Sequence, residues 1–429
     1  MSSPLPAPKI KEEGISKIKS LIDGAIKDRK KGIPGLVISI VNSKGDRLLD
    51  YANGLTSVET GEPMTTDTIF WVGSCTKFIT TVACLQLVER GLIDLDDSDQ
   101  LEEIVPELKT LPIVSLDGKG GIHLRPKKRK ISLRMLLNHT SGLGYSFWYE
   151  ELAIYAKYFN VNDLDPKDVQ QLLLPLLCEP GTDWKYGAGL DIAGIALERI
   201  TGLTIEEYLK KNIFEPLDMK DSTFIPNSDL LKNYAKLNLR DSETGFLREY
   251  PHIYQRVIKQ TYNDGYFFQA GGGGLFIKPK EYTKFLSAII NDGVSPITKK
   301  RIIKSETVGL IYENQVPNFP DYGRVPRVSF NKHLLNSSQH LVRQAGDPPQ
   351  GWGLSYFKPL VPMGTGRSID SGNWGGLSNQ FYWFDRKNGL ALMLASNVLP
   401  FTDKKVTSLF FKIEKVVFDH LYRPRSIKL

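Results

Sequence analysis

The chain has 429 residues, of which 41% are hydrophobic and 24% are charged, and its formal net charge is +7. This length predicts two packed subdomains or one large mixed domain, and the composition is ordinary for a water-soluble globular protein. No run approaches the roughly 18 apolar residues of a membrane span, and the N-terminus lacks the apolar core of a signal peptide. The three cysteines form no C-x-x-C pair. We therefore expect a cytoplasmic protein that does not act at a membrane.

The charged and metal-binding residue types favour neither a nucleic-acid partner nor a catalytic metal. The one dense basic cluster, "RPKKRK" at residues 125–130, has no interleaved aromatic residues and is typical of a solvated loop. The six histidines form no H-x-x-x-H motif and no His/Cys cluster. We expect no metal and no other cofactor.

Hydrophobic periodicity predicts strands near both ends of the chain and helices between them. Apolar residues recur at helical spacing in residues 12–28, and "GLVISIVN" and "RLLDYANG" are typical of strands joined by the turn "SKGD". Residues 379–398 predict a hairpin around "DRKNG", and an amphipathic helix follows at 403–422. The region between contains four helical patterns separated by Pro and Gly, at residues 132–140, 165–177, 190–202 and 204–214.

This order of elements is typical of an α+β protein whose sheet is assembled from both ends of the chain. We expect residues 1–90 to form the N-terminal part of the sheet domain, 91–265 a mainly helical domain, and 266–429 the C-terminal part of the sheet domain. A helix that begins near Ser74 would then lie at the junction of the two domains.

Ser74 and Lys77 form an S-x-x-K pattern at the start of that helix. The same pattern occurs at Ser16–Lys19, so the pattern alone does not identify a site. The residues after Lys77 are apolar on all sides of the helix, which predicts burial, and a buried lysine needs a partner or a lowered pKa. In that state it can take a proton from a serine hydroxyl. A serine that caps the helix and a lysine that reaches solvent explain the helix equally well.

Two further segments carry groups that an attacking serine would require. Tyr186 stands in a Gly-rich turn just before a helix, where its phenol could point into a cleft. A nearby lysine cation favours the phenolate of Tyr186, which can act as general base and acid. Gly375 and Gly376 open a strand, and glycines there let the backbone approach a ligand so that a strand N–H can meet a developing oxyanion.

Five segments in register resemble the serine β-lactamase and penicillin-binding-protein fold family: "SCTK", "HTSGL", "PGTDWKYGAGLDIAGIALERITG", "AGGGGLF" and "WGGL". Within it, the chain is most similar to class C-like esterases and to fungal acyltransferases of the lovastatin transesterase type. The resemblance implies an antiparallel sheet flanked by helices, with an inserted helical domain. It also implies Ser74 as the acylated nucleophile, Lys77 as its activator, Tyr186 as general base, and the N–H groups of Ser74 and Leu377 as the oxyanion hole.

The chain departs from penicillin-hydrolysing members of that family at two motifs. The Y-x-N triplet is Tyr186-Gly187-Ala188, and the K-T-G strand is replaced by Trp374-Gly375-Gly376. Loss of a strand lysine removes a charge-assisted contact to the β-lactam carboxylate, commonly worth about 1.5–3 kcal/mol. A tryptophan there favours neutral acyl groups or flat scaffolds. Efficient β-lactamase activity is therefore not expected. The expected substrate-binding residues are Trp374, Gly375, Gly376, Tyr145, Trp148 and Trp352.

Three neighbouring motifs have simpler interpretations. The resemblance implies a structural role for His139, which supports the turn after its helix. Cys75 follows the nucleophile and is expected to pack, since no base stands near it. The run Gly271–Gly274 lacks the GK[ST] tail of a phosphate-binding loop and predicts a tight turn.

Three functions fit these observations. The first is a serine acyltransferase of fungal secondary metabolism that moves an acyl group from an ester or thioester, including one on an acyl carrier protein, to a hydroxyl of a small natural product. The second is a carboxylesterase, in which water is the acceptor, and the third is a non-catalytic binding relic. Retention of Ser74, Lys77 and Tyr186 together argues against the relic.

Overall fold

The structure, a computed structural model, describes residues 7–261, 267–324, 329–337 and 346–424. In these ranges the helices are α1 Glu12–Ile26, α2 Thr76–Glu89, α3 Ser98–Ile104, α4 Leu133–Leu137, α5 Glu150–Phe159, α6 Gly189–Thr201, α7 Ile205–Leu209, α8 Ser228–Leu231, α9 Gln255–Ile258, α10 Pro279–Ile290, α11 Ser305–Ile311 and α12 Lys404–Asp419. The strands are β1 Lys9–Ile10, β2 Gly35–Asn42, β3 Arg47–Gly54, β4 Phe70–Trp71, β5 Pro112–Leu116, β6 Ile122–Pro126, β7 Asn238–Arg240, β8 Leu247–Glu249, β9 Phe276–Ile277, β10 Gln350–Trp352, β11 Phe357–Pro359, β12 Ser371–Gly376, β13 Gln380–Asp385, β14 Leu390–Ala395, β15 Val398–Leu399 and β16 Leu421–Tyr422.

The central element is a seven-stranded antiparallel sheet with the order β10-β11-β12-β13-β14-β2-β3. Strands β2 and β3 come from the N-terminal part of the chain, and β10 to β14 come from the C-terminal part. The predicted α+β class and the assembly of the sheet from both ends are therefore confirmed. The exact division at residues 90 and 265 stays a prediction.

Helices cover both faces of the sheet because its central strands are apolar on both sides. Along β2, Leu36, Ile38 and Ile40 face a cluster that contains α1 and α12, whereas Val37 and Val41 face the opposite cluster, which contains α2 and α10. This alternation follows from the two-residue period of a strand. It also explains why all eight residues of β2 are buried.

Helix α2 lies between the sheet and the helical region, in contact with α6 and α7. Every residue from Thr76 to Leu87 is buried, as the all-round apolar pattern predicted. On the sheet side, the Phe78 ring lies 5.1 Å from Phe384 and 5.3 Å from Phe285 of α10, measured between centroids. This packing fixes the start of α2 at the junction of the two layers.

The prediction of a helix at residues 165–177 is wrong. Only a 3-10 turn forms there, at Val169–Gln171, and the residues from 172 to 177 are not helical. Leu176 exchanges backbone hydrogen bonds of 2.8 Å with the β5 region, donating to Pro112 O and accepting from Val114 N. Leu172, Leu174, Pro175 and Leu176 are buried without forming a helix. Among the described residues, no helix combines the length and apolarity needed to cross a membrane.

Candidate active site

Ser74 lies in a 3-10 turn, Gly73–Cys75, that leads directly into α2. Its neighbours on both sides are buried, while Ser74 itself is partly exposed. The Thr76 hydroxyl donates to Gly73 O at 2.6 Å and holds the turn closed. The N-cap position of α2 is Cys75, and no side chain makes a capping hydrogen bond there. Ser74 is therefore not the cap of this helix.

Lys77 does not reach solvent, because its side chain is completely buried. Its ammonium group donates to three oxygens: Ser74 Oγ at 3.2 Å, the Tyr145 hydroxyl at 3.0 Å and the Gly272 carbonyl at 2.6 Å. Burial disfavours the charged form and lowers the pKa of Lys77 to about 8, although the negative charge of Asp191 opposes this shift. Lys77 thus has the two properties that a proton acceptor for Ser74 requires, which are a contact with Ser74 Oγ and a lowered pKa.

Tyr186 lies on the other side of Ser74 and is buried. Its hydroxyl accepts a hydrogen bond from Trp374 Nε1 at 2.9 Å, and its side chain is hydrogen-bonded to Ser74. Burial raises the pKa of Tyr186 well above its usual range, and the stabilisation that Ser74 and Trp374 give to a phenolate only partly offsets this effect. The expectation that the lysine cation favours the phenolate is therefore wrong for the resting site. Lys77 Nζ lies 5.0 Å from the ring centroid of Tyr186, and its three hydrogen bonds go elsewhere.

The start of α2 and the end of β12 approach each other closely. A Cβ atom built on Gly73 would lie 3.0 Å from Leu377 N, and one on Gly376 would lie 2.2 Å from Val72 O. In the described part of the chain, the N–H groups of Ser74 and Leu377 donate to no protein acceptor. Both predicted oxyanion-hole donors are thus without a protein acceptor, and Ser74 and Leu377 line the same pocket.

An apolar pocket with an empty volume of about 620 Å³ opens over Ser74. Eight of the twenty residues that line it are aromatic, and buried Asp163 and Asp191 contribute carboxylates. Tyr145, Trp148, Trp374 and Gly375, all predicted to bind substrate, line it. The complete lining is Trp71, Gly73, Ser74, Tyr145, Phe147, Trp148, Asp163, Leu164, Pro166, Leu172, Tyr186, Asp191, Tyr254, Ala270, Gly272, Gly273, Trp374, Gly375, Leu377 and Phe401.

The structure does not place Trp352 or Gly376 in the pocket wall. Trp352 is completely buried behind Trp374, with a distance of 4.6 Å between their ring centroids and a T-shaped geometry. It supports Trp374 and cannot touch a substrate in this arrangement. Gly376 faces Val72, so the close approach of the two backbones, rather than a ligand, is what requires a glycine there.

His139 and the glycine run have the structural surroundings that the sequence predicted. The buried His139 ring packs 4.5 Å from the Tyr186 ring, and burial lowers its pKa well below the usual value. Gly273 N and Gly274 N both donate to Ala270 O, at 3.0 and 2.7 Å, which makes a tight turn. One carbonyl of this turn, Gly272 O, reaches the site and accepts from Lys77.

Asp191 is a site residue that sequence reasoning missed. It lies in the first turn of α6, buried, and accepts from the Tyr145 hydroxyl at 3.2 Å and from Gly272 N at 2.8 Å. The available signal was an ionisable residue within the apolar run "LDIAGIAL", five positions after Tyr186. Across the described residues, no group of three or more His, Cys, Asp or Glu side chains could hold a metal ion.

The comparison with known proteins decides the family. The sequence profile of the Beta-lactamase family matches residues 19–409. The chain belongs to this family. It is 30% identical over 424 residues to the Monacolin J acid methylbutanoyltransferase of Aspergillus terreus, covering 92% of this chain and 93% of the relative. It is 32% identical over 369 residues to the Lovastatin esterase of Penicillium rubens, covering 83% and 87%.

Solved structures agree with the sequence comparison. A mutant of simvastatin synthase from Aspergillus terreus superimposes with a TM-score of 0.78 at 29% identity, covering 96% of this chain and 98% of that chain. A penicillin-binding protein homologue from Pyrococcus abyssi, at 21% identity and a TM-score of 0.60, shares the fold. The predicted family and the predicted β-lactamase and penicillin-binding-protein fold are confirmed.

Gly376→Ala tests the close approach of β12 to the Ser74 turn. The added methyl group would meet Val72 O at 2.2 Å, so the strand must move and carry Leu377 N–H away from Ser74. We expect the rate of Ser74 acylation by an activated ester to fall by about 10²-fold, the usual cost of losing one oxyanion donor. The measurement is the rate of adduct formation by intact-protein mass spectrometry.

Gly24→Ala is the matched control, because a Cβ at Gly24 in α1 meets nothing within 4 Å. It should leave the acylation rate unchanged. A Gly376→Ala variant that folds and is acylated at the wild-type rate would show that Leu377 N–H does not contribute.

Proposed function

We propose that the protein is a serine acyltransferase that carries an acyl group on Ser74. The donor is an ester or thioester, and the acceptor is a hydroxyl of a small natural product. The observation that carries this proposal is the buried Lys77 amine, which contacts the Ser74 hydroxyl at the floor of an aromatic pocket. The names of the relatives add support, since they transfer or hydrolyse acyl groups on compounds of this kind.

Acylation begins with neutral Lys77. As Ser74 Oγ attacks the donor carbonyl, its proton passes to the amine of Lys77, and the oxyanion accepts hydrogen bonds from Ser74 N–H and Leu377 N–H. The carbonyl bond to the leaving thiolate or alkoxide then breaks, and Tyr186 supplies its proton. The raised pKa of Tyr186 suits this step, because the phenol is protonated in the resting enzyme. The products are the Ser74 ester, the Lys77 ammonium and the Tyr186 phenolate.

Deacylation reverses both proton transfers. The Tyr186 phenolate takes the proton from the acceptor hydroxyl, whose oxygen attacks the Ser74 ester. The bond to Ser74 Oγ breaks, and the serine oxygen recovers its proton from the Lys77 ammonium. The site returns to its starting state with all protons accounted for. Tyr186 therefore acts as the base implied by the family resemblance, but in the second half-reaction.

Transfer and hydrolysis differ only in which hydroxyl attacks the acyl-enzyme. The aromatic part of the wall supports transfer, because it offers a flat, apolar surface to a bulky alcohol. A carboxylesterase is the second candidate, favoured by the 32% identity to a Lovastatin esterase. A binding relic would gain nothing from burying an amine that has three acceptors and contacts the serine.

Trp374 explains why β-lactam hydrolysis is not the proposed reaction. In place of a strand lysine that would attract a substrate carboxylate, the indole N–H of Trp374 is used to hold the Tyr186 hydroxyl. The adjacent wall contains the buried carboxylates of Asp163 and Asp191. This surface favours an uncharged acyl group.

The acyl-enzyme is tested by intact-protein mass after brief incubation with a short acyl thioester. We expect the wild type to gain one acyl group and Ser74→Ala to gain none. Candidate alcohols should then remove the adduct at least about tenfold faster than water alone, because productive orientation of a bound acceptor accelerates attack. Removal at the same rate with and without alcohols would assign the protein as an esterase, and no adduct with thioesters or activated esters would contradict the proposal.

The same experiment tests an acyl carrier protein as partner when the acyl thioester is presented on the carrier. The surplus charge of +7 supports recruitment of an acidic carrier, although Arg125, Lys127 and Lys130 of the basic cluster already pair with neighbouring carboxylates. Acylation from the carrier should weaken with added salt, while acylation from a free thioester should not. Equal salt dependence would remove the carrier from the proposal.

Three free thiols, at Cys75, Cys84 and Cys178, support the cytoplasmic setting.

Tyr186→Phe tests the order of proton transfers. With an alkyl ester donor, whose leaving alkoxide needs a proton, we expect acylation to slow by about 10²–10⁴-fold. With a nitrophenyl ester, whose leaving group needs none, acylation should slow far less, while transfer to an alcohol should still fail. The measurement is single-turnover adduct formation and decay with both donors.

Equal losses of acylation rate with both donors would mean that Tyr186 takes the Ser74 proton itself. Near-normal transfer with either donor would remove Tyr186 from the mechanism.

A further inference from the structure

Lys77 belongs to a closed ring of four hydrogen-bonded groups. Lys77 Nζ donates to the Tyr145 hydroxyl and to Gly272 O, and both Tyr145 O–H and Gly272 N–H donate to Asp191. Asp191 touches neither Ser74 nor Lys77 by a hydrogen bond. Its two carboxylate oxygens instead accept hydrogen bonds from Tyr145 and Gly272. These are the two residues, besides Ser74, that accept a hydrogen bond from Lys77.

We propose that Asp191 is a positioning residue that fixes the direction of the Tyr145 hydroxyl and thereby aims the unshared electron pair of Lys77 at Ser74. The inference rests on the proposed function, in which Lys77 accepts the serine proton. It assigns to α6 a part in setting up the nucleophile, and it gives Tyr145 a role besides that of a pocket wall.

The donors and acceptors in the ring permit only one direction for each bond. A backbone N–H can only donate, so Asp191 Oδ1 accepts from Gly272. Burial raises the pKa of Asp191, whereas the Lys77 cation and the hydrogen bonds from Gly272 and Tyr145 lower it and favour the carboxylate. An ionised carboxylate can only accept, so in that state Tyr145 gives its single proton to Asp191 Oδ2. Burial and the neighbouring Asp191 charge raise the pKa of Tyr145 well above its usual range, so that proton stays in place. The Tyr145 oxygen is then an acceptor toward Lys77.

The same reasoning fixes the neutral amine. Neutral Lys77 has two N–H groups and one unshared pair. Gly272 O and the Tyr145 oxygen both require a donor, so both N–H groups point at them. The unshared pair is left facing the third neighbour, Ser74 Oγ, at 3.2 Å. If Tyr145 could instead donate to Lys77, it would occupy the pair and leave the serine proton without an acceptor.

Asp191 also acts on Lys77 through its charge. The groups that face Lys77 are Asp191 of α6, Cys75 on its own turn, His139 and Tyr145 from the segment after α4, and Tyr186 before α6. Burial lowers the pKa of Lys77, and the charge of Asp191, followed by that of Cys75, raises it. Removing the charge therefore lowers this pKa further, so that the rise of activity with pH begins at lower pH.

The Asp191→Asn variant separates the effect of Asp191 on the direction of the Tyr145 hydrogen bond from the effect of its charge on Lys77. The amide offers one acceptor and one donor, so it can accept from Gly272 N–H or from Tyr145 O–H, but not from both. Its NH₂ group then faces one of these donors, or reverses Tyr145 so that the phenol donates to Lys77. We expect acylation at the high-pH plateau to fall at least about tenfold even though more Lys77 is neutral, because the unshared pair of Lys77 is then no longer held in the direction of Ser74.

The test measures adduct formation with a nitrophenyl ester against pH for wild type, Asp191→Asn, Tyr145→Phe and the double variant. Asp191→Asn should show a lower plateau and an acid limb displaced to lower pH. Tyr145→Phe should also lose at least about tenfold, and the double variant should lie within about threefold of the slower single variant, because both act through one hydroxyl.

Glu281→Gln is the matched control, because Glu281 is also a buried carboxylate but lies outside the pocket wall, where it accepts from the Ser222 hydroxyl and from Lys220 N–H. Its acid limb should coincide with that of the wild type. Wild-type plateau and limb in Asp191→Asn, or losses that multiply in the double variant, would overturn the inference. If Asp191→Asn does not fold, retention of the full rate by Tyr145→Phe would overturn it equally. Failure of the wild type to form any adduct would instead refute the proposed function.

Discussion

A primary amine held out of water beside a serine hydroxyl is the constraint on which the rest of this structure depends. An unpaired ammonium in the interior is strongly unfavourable, so its surroundings must supply acceptors or remove its proton. Here they do both. Three oxygens, from Ser74, Tyr145 and Gly272, receive the N–H groups of Lys77, while burial lowers the pKa of Lys77 to about 8. These oxygens come from three separate parts of the chain, so the site exists only in the folded protein.

The architecture keeps that amine buried. The sheet packs against one side of α2 through Phe78, and α6 packs against the helix as well. The side chain of Lys77 is therefore completely buried. The 3-10 turn before α2 brings Gly73 and Ser74 to the pocket, and the glycines at 73 and 376 let the end of β12 come close to that turn. The same helix α6 that covers α2 also supplies Asp191, which links the packing of the helical layer to the protonation of the site.

Much of this could be predicted from the sequence, because the signals were local. The strands β2 and β3 have the predicted bounds, and the hairpin of β13 and β14 follows from alternation around a Gly-containing turn. Ser74, Lys77 and Tyr186 were found as motifs. The segment at 165–177 was mispredicted because pairing with β5, a long-range contact, decides its structure. Trp352 was misplaced since aromatic content does not tell which of two stacked rings faces a cavity, and Asp191 was missed because its partners are distant in sequence.

The most direct test of the account is the pKa of Lys77 in the resting enzyme. It can be measured by NMR titration of protein labelled with ¹³C at the lysine ε-carbon, with Lys77→Arg used to assign the signal. The account predicts one lysine that titrates near pH 8. A Lys77 signal that titrates at 10.5, the ordinary value, would mean that the amine stays charged beside Ser74 and is not the group that takes its proton.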